Sequence, residues 1–389
     1  MLEAIDGARR SVLLEVYSFA PSGVGDRFLQ ALGKAANRGV FVQVLIDGWG
    51  SASGGNAVAA MLRGSGCKVR IHNPLLALLG GHFGRNHRKI LLVDDEVAFL
   101  GGINIGDENV DEGMRLGWAD LALEIRGPQC KRLHQMLRHK PQAPVDSFLR
   151  LHLSGLGGGW RLRRRYLRAF KGALRSIHIA HGYFLPDPGV LRAITGAARR
   201  GVRVRLLLAG RSDVPFARAA ARSLHRRLLS AGVEVHEWND SVLHAKVAAV
   251  DERLLLVGSF NLDPFSLANS EALVEVEDPR IVHEGTAWIQ DHFVRSRPIS
   301  SVEACSRWQR WLLDPLGRLV TRLAESLSHV IASRKQRRAS RNLSFSAMPA
   351  SDSPPPIQPE RHPHHASTAR TPASCRTAEA KAGGITPRT

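Results

Sequence analysis

Two stretches of this 389-residue chain carry the same chemical pattern. In the first, His87-Arg88-Lys89 is followed by four residues, Asp94, six more, and then Gly101-Gly102-Ile103-Asn104. In the second, His244-Ala245-Lys246 is followed by four residues, Asp251, six more, and then Gly258-Ser259-Phe260-Asn261. Every spacing agrees. A lone H-x-K is uninformative, because a histidine near a lysine is common on any surface. The longer pattern fixes about five positions, so a chance copy in a chain this size has odds of roughly one in ten thousand. Two copies read as one active site made of two halves.

The residue types point to phosphodiester chemistry. In an extended backbone, side chains at i and i+2 face the same way, so His87 and Lys89 share one cleft, as do His244 and Lys246. A phosphodiester under attack needs a nucleophile, a proton for the leaving oxygen and positive charge on its non-bridging oxygens. Two imidazoles supply the first two needs and two ammonium groups the third. Asn104 and Asn261 add neutral donors to the phosphate oxygens, and the motif glycines let backbone approach closely. An imidazole acting as nucleophile also wants an orienting carboxylate. Each half offers one about thirty residues downstream on a following strand: Asp120 in Trp118-Ala119-Asp120-Leu121, and Glu271 in Asn269-Ser270-Glu271-Ala272. Neither a metal nor another cofactor is called for, since lysine is no ligand and no His/Asp/Cys cluster has ligand spacing.

The elements that must hold these residues repeat as well. Residues 1–10 read as the tail of a helix, Ser11–Phe19 as a largely buried strand, and about 26–38 as a helix stopped by Gly39. Val40–Ile46 reads as a strand, about 56–64 as a short helix, and Lys68–His72 as a strand. His87–Val93 is the motif strand, Asp94-Asp95 its turn, Val97–Leu100 the return, and Trp118–Ile125 a further strand. In the second half Ala197–Leu208 answers Ala35–Ile46 at an offset of 162, and His244 answers His87 at 157. The unit is a whole domain, and alternating helix and strand gives an α/β sandwich in each. The reading is two pseudo-symmetric domains, 1–145 and 146–300, with the glycine-rich Ser154–Gly159 as linker and the active site at their interface.

Two apolar features stand outside this frame. Pro74–Gly81 is apolar where a polar loop is expected, and reads either as core or as a lipid-facing lip ahead of His87. Asp314-Pro315 opens a helix whose Leu316, Leu319, Val320, Leu323, Leu327, Val330 and Ile331 share one face, followed by Arg334, Lys335, Arg337, Arg338 and Arg341. This amphipathic basic segment, 301–342, either packs on the body or lies in a membrane interface. Residues 343–389 have the composition of a disordered tail.

Composition bounds the partners. With 44% hydrophobic and 23% charged residues, the chain is an ordinary globular protein. Lys+Arg 54 against Asp+Glu 35 gives +19, so the surface attracts polyanions, whether nucleic acid or an anionic membrane face. Residues 334–389 hold ten Lys/Arg against three Asp/Glu, which leaves +12 on the rest. Four scattered cysteines suggest neither disulfides nor zinc and fit a reducing compartment. The start lacks a leader-peptide pattern, and no uninterrupted apolar run reaches the ~18 residues of a membrane span.

The paired motifs resemble those of the phospholipase D superfamily. Within it Phe184-Leu185-Pro186, Ala198-Arg199-Arg200-Gly201-Val202 and Gly258–Leu267 resemble bacterial cardiolipin synthases of the short B type, over roughly residues 1–295. The resemblance implies a ping-pong phosphatidyl transfer through a phosphohistidine, the second histidine acting as acid and then base. It groups Asp94 and Asp251 with the catalytic motif as structural members that anchor the strand turns, and puts Asp120 and Glu271 behind His87 and His244. The composition of the halves is nearly symmetric, with His87 preferred as the attacking group. Phosphatidylglycerol as acceptor gives cardiolipin, and water gives phosphatidic acid. The expected partners are phospholipid substrates and an anionic membrane surface, on the cytoplasmic face of a bacterial membrane, with one chain completing the site. A superfamily nuclease or phosphodiesterase is the alternative enzyme, disfavoured by sparse base-stacking aromatics. An inactive anionic-lipid-binding protein is the non-enzymatic alternative, disfavoured by two complete motifs.

Overall fold

A computed structural model describes residues 1–73, 84–111, 116–140, 148–300 and 381–382. The apolar stretch 74–81, the amphipathic segment 301–342 and the tail 343–389 apart from residues 381–382 lie outside the described residues.

The first sheet is built from β1 (Ser11–Val16), β2 (Phe41–Asp47), β3 (Lys68–His72), β4 (Ile90–Val93), β5 (Val97–Gly101) and β6 (Ala122–Arg126). The second holds β7 (Leu149–Leu153), β8 (Ser176–His181), β9 (Arg203–Ala209), β10 (Glu234–Trp238), β11 (Lys246–Val250), β12 (Leu254–Gly258), β13 (Ala272–Val276) and β14 (Arg297–Pro298). The first runs β6-β5-β4-β1-β2-β3, with residues 381–382 added beside β6. The second runs β14-β10-β9-β8-β11-β12-β13-β7. The repeat therefore holds strand for strand: β1, β2, β3 match β8, β9, β10 as parallel neighbours, and β4, β5, β6 match β11, β12, β13 as antiparallel ones.

Period-2 alternation explains the layering. In β1, Val12, Leu14 and Val16 join a core under the helices of the first half, while Leu13 faces the other way. That opposite face, with Leu92, Ala98 and Leu100, shares one core with Val247, Leu255, Val257 and Val274 of the second sheet. The outer face of the second sheet packs under helices Trp160–Gly172 and Pro188–Arg199. Both sheets are thus buried on two faces, which is why their strands read as continuous apolar runs.

Gly39 and Gly201 each follow a helix with φ of 86° and 91°, a conformation that costs glycine nothing. The Ser154–Gly159 stretch is no linker. It packs on the second half, Ser154 N donating to Glu271 O at 2.9 Å and Gly157 N to Ala268 O at 2.7 Å. Its glycines permit close backbone contact rather than freedom: a Cβ at Gly159 would lie 2.4 Å from Ser266 O.

Candidate active site

The motif strand β4 pairs with β1 and its counterpart β11 with β8, so the H-x-K residues sit where β1, β2, β5 and their counterparts end. Two short backbone ladders then join the halves. His87 N donates to Ser270 O at 2.9 Å and Ser270 N to Arg85 O at 2.8 Å, bridging Asn86 and Ser270. Ala119 N donates to Val242 O at 2.8 Å and His244 N to Ala119 O at 2.9 Å, bridging Ala119 and Leu243. The residue after each bridge carries a carboxylate. The carboxylate therefore meets the histidine of the other half.

His87 Nδ1 lies 3.1 Å from both Glu271 carboxylate oxygens, and His244 Nδ1 lies 2.6 Å from Asp120 Oδ2. This corrects the expectation that each half orients its own histidine with its own carboxylate. Asp120 stands behind His244 and Glu271 behind His87, because strand pairing between the halves decides which chain segment reaches which imidazole. In both cases Nδ1 is taken and Nε2 is left for substrate.

The lysines converge as the motif requires. Lys89 Nζ donates to His87 O at 2.9 Å, and Lys246 Nζ donates to His244 O. Burial pushes the Lys246 ammonium down to about 8, and it pushes Lys89 well below the usual range, with the Lys246 charge next in effect. Burial also lowers both imidazoles, the carboxylate behind each opposing that shift and the lysines adding to it. An anion placed among these groups reverses each of those pressures. Such a cluster can accept an anionic group.

The remaining motif residues divide. Asn104 is buried, and its Oδ1 accepts from Ser18 N at 3.3 Å. Asn261 is buried with no partner for Oδ1 among the described residues, while its backbone N donates to Ser266 Oγ. Asp94 and Asp251, counted with the catalytic motif, sit at the opposite end of the motif strands. Asp94 accepts from the backbone N–H groups of Arg9, Arg10 and Ser11 at 2.7–2.8 Å. Asp251 does the same for Leu174, Arg175 and Ser176 at 2.7–2.9 Å. Neither touches the cleft. They fix hairpin turns in which Asp94, Asp95, Asp251 and Glu252 all have positive φ.

Several site residues escaped the sequence reading. Tyr17 and Tyr183 lie beside the imidazoles, their rings 4.8 Å from His87 and 5.8 Å from His244. Each also sits under a motif ammonium, at 5.0 Å from Lys89 and 5.7 Å from Lys246. Tyr17 follows β1 and Tyr183 follows β8, but they stand 18 and 14 residues ahead of the repeated Ala35 and Ala197 segments, so extending the repeat without a gap does not align them. Arg88, inside the first motif, donates to Glu15 and, at 2.6 Å, to Ser154 O of the second half. Gly102 and Ser259 occupy one motif position in two ways. A Cβ at Gly102 would lie 2.3 Å from the Asp120 carboxylate, whereas the Ser259 hydroxyl donates to Glu271.

Residues 1–126 and 166–293 match the family model described as cardiolipin synthase, PLD-like domain. Cardiolipin synthase B of Salmonella typhi is 35% identical over 302 residues, covering 72% of this chain and 73% of that protein. Cardiolipin synthase B of Escherichia coli (strain K12) is 34% identical with the same coverage. Among solved structures, the phosphatidylserine synthase of Haemophilus influenzae Rd KW20 shares the fold, with a TM-score of 0.66 at 16% identity over 85% of this chain and 92% of that one. With family model, relatives and duplicated site in agreement, the chain belongs to the phospholipase D-like family of cardiolipin synthase domains.

Proposed function

We propose that the chain is a phosphatidyltransferase that makes cardiolipin by moving a phosphatidyl group from one phospholipid onto the free hydroxyl of phosphatidylglycerol. The observation that carries this reading is the pair of crossed imidazole–carboxylate contacts around two buried lysines. Similarity to the cardiolipin synthases B supports the choice of substrate.

In this reading His87 Nε2 attacks phosphorus, and the bond from phosphorus to the departing alkoxide breaks as His244 delivers its proton. Lys89, Lys246 and Asn261 hold the non-bridging oxygens as charge gathers there. The acceptor hydroxyl then gives its proton to His244 and attacks phosphorus, and the P–N bond breaks to free His87. The assignment of roles rests on an asymmetry. Both carboxylates are shared, Glu271 with the Ser259 hydroxyl and Asp120 with Leu121 N, but Asp120 keeps the shorter contact to its imidazole, 2.6 Å against 3.1 Å. On that shorter carboxylate contact we assign His244 as the acid and His87 as the nucleophile.

The lipid sits at a surface the protein visits peripherally. Among the described residues no helix is long and apolar enough to cross a membrane. Trp49, Val110, Leu116 and Val214 on connecting segments, and Phe265 in the short helix Pro264–Ala268, are exposed by 37–57%. One chain supplies both halves, so the reading is of a monomeric site. The test is a thin-layer lipid assay with phosphatidylglycerol vesicles beside a plasmid-cleavage assay, with mass spectrometry of the quenched enzyme. Cardiolipin and a phosphatidyl adduct on the His87 peptide are expected. Plasmid cleavage without lipid turnover would overturn the reading.

A further inference from the structure

The segment from Arg85 to Lys89 runs extended, held by the ladder to Ser270. Its side chains alternate. Asn86 and Arg88 turn to one side, where Asn86 Nδ2 and Arg88 both meet Glu15, at 3.2 and 3.3 Å. His87 and Lys89 take the cleft side. Arg85 belongs to that same series, two residues further out, a step of about 7 Å along an extended chain. His87 and Lys89 are buried and Arg85 is only partly so, which places it toward the opening.

Its guanidinium lies over the Trp49 ring, 4.7 Å from the centroid. No carboxylate among the described residues forms an ion pair with it. Asp47 lies within its electrostatic influence. That carboxylate already accepts from the N–H groups of Trp49, Gly50 and Asn86 at 2.8–3.1 Å. Arg85 also acts electrostatically on Tyr17, whose ring meets His87. Nothing in the transfer scheme uses this cation. The repeat supplies no twin either, since Val242 stands two residues before His244. On that side the feature at the opening is a carboxylate, Asp213, which accepts from the Tyr183 hydroxyl at 2.6 Å. The two approaches to a nearly symmetric centre thus carry opposite charge.

We infer that Arg85, braced on Trp49, binds a second phosphate: the phosphodiester that an acceptor glycerophospholipid already carries. The inference rests on the transfer reading above. An acceptor such as phosphatidylglycerol offers its hydroxyl at the phosphorus between the histidines, while its own phosphate lies one glycerol away. A two-residue step from His87 to Arg85 spans a distance of that order. A planar guanidinium fixed on an indole face, with no ion-paired carboxylate among the described residues, suits a phosphodiester monoanion. Water and glycerol carry no phosphate and make no demand on it. Arg85 is a substrate-binding residue that favours phospholipid acceptors over small ones.

The experiment uses the full chain with soluble short-chain phosphatidylglycerol as donor and acceptor, measuring the partition between the bis-phosphatidyl product and phosphatidic acid. Arg85→Gln should shift that partition toward phosphatidic acid by about 10–100-fold, the scale of one lost charge-assisted hydrogen bond. Arg85→Lys should recover part of it. When glycerol is the competing acceptor, its transfer-to-hydrolysis partition should not move. An unchanged partition in Arg85→Gln, or an equal shift with glycerol, overturns the inference. A wild-type chain that yields neither lipid product defeats the transfer reading itself, and this inference with it.

Discussion

A histidine whose Nδ1 is held by a carboxylate keeps one nitrogen for chemistry, and this chain has two such residues in one cleft. Because both serve each half-reaction, His87→Ala and His244→Ala should each abolish turnover, and the double variant should be no worse than either. More than a few per cent of wild-type activity in a single variant would sink the two-half site. The crossed pairing makes a sharper forecast. Asp120→Asn should weaken the acid, His244, and lower the rate on a phospholipid by about 10²–10⁴-fold. A p-nitrophenyl ester needs no protonated leaving group, so the first burst of nitrophenol should survive in Asp120→Asn and fail in Glu271→Gln. A reversed pattern would put the nucleophile in the second half. Lys89→Met and Lys246→Met should each cost kcat about 10²–10³-fold, as for one preorganised donor; an effect confined to KM would leave them as binding groups only. The residue identities were legible in the sequence because the motif fixes them in kind and spacing. The pairing of carboxylate with imidazole was not, because in-half and cross-half partners lie at similar positions in a duplicated chain, and only the ladders at Asn86–Ser270 and Ala119–Leu243 choose between them.

At the scale of the element, each motif hairpin has a working end and an anchored end. The anchor is an aspartate whose carboxylate gathers three consecutive backbone N–H groups at the start of β1 or β8. Asp94→Ala removes three such bonds, and urea unfolding should show a loss of about 2–4 kcal/mol while kcat of the folded enzyme stays near the parent value. A collapse of kcat at unchanged stability would return Asp94 to the chemistry. The central strand β8 carries a second liability, since His181 is fully buried and neither ring nitrogen has a hydrogen-bond partner among the described residues. Burial holds it down to about 3. A histidine below its unfolded value of about 6.5 stabilises the fold fully above that pH, and the contribution is lost as pH falls toward the folded value. The melting temperature should therefore drop between pH 6.5 and 4, and His181→Leu should flatten that slope. Identical slopes in the two proteins would clear His181 of the effect. The strands themselves were readable because runs such as Val40–Ile46, apolar but for Gln43, are what strands covered on both faces must be. The glycine-rich Ser154–Gly159 misled, since glycine marks close backbone packing as readily as a flexible join.

The molecule as a whole is a duplicated frame whose symmetry is strict in the buried ladders and broken at the opening. Strand order, hairpin anchors and H-x-K pairs repeat, whereas the exposed Trp49, Val110, Leu116, Val214 and Phe265 lie on connections that differ in sequence between the halves, Phe265 in the short helix Pro264–Ala268. Loops at the C-terminal ends of parallel strands are free to diverge because the frame below them holds the geometry. Five exposed apolar side chains around one opening, on a body of net positive charge, fit a bilayer of anionic phospholipid better than bulk water. Charge and apolar contact separate by their response to salt. Attraction of the body to an anionic surface weakens as ionic strength rises, whereas insertion of Leu116, Val214 and Phe265 does not. Replacing those three by serine should lower the high-salt partition onto phosphatidylglycerol vesicles by roughly tenfold or more, since each large apolar side chain contributes about 1.5–3 kcal/mol on full burial. Turnover of a short-chain soluble phosphatidylglycerol should remain, because the three side chains lie outside the cleft. Vesicle binding that is fully salt-sensitive in the parent chain, and unchanged in the triple variant, would leave charge alone to bring the enzyme to its lipid.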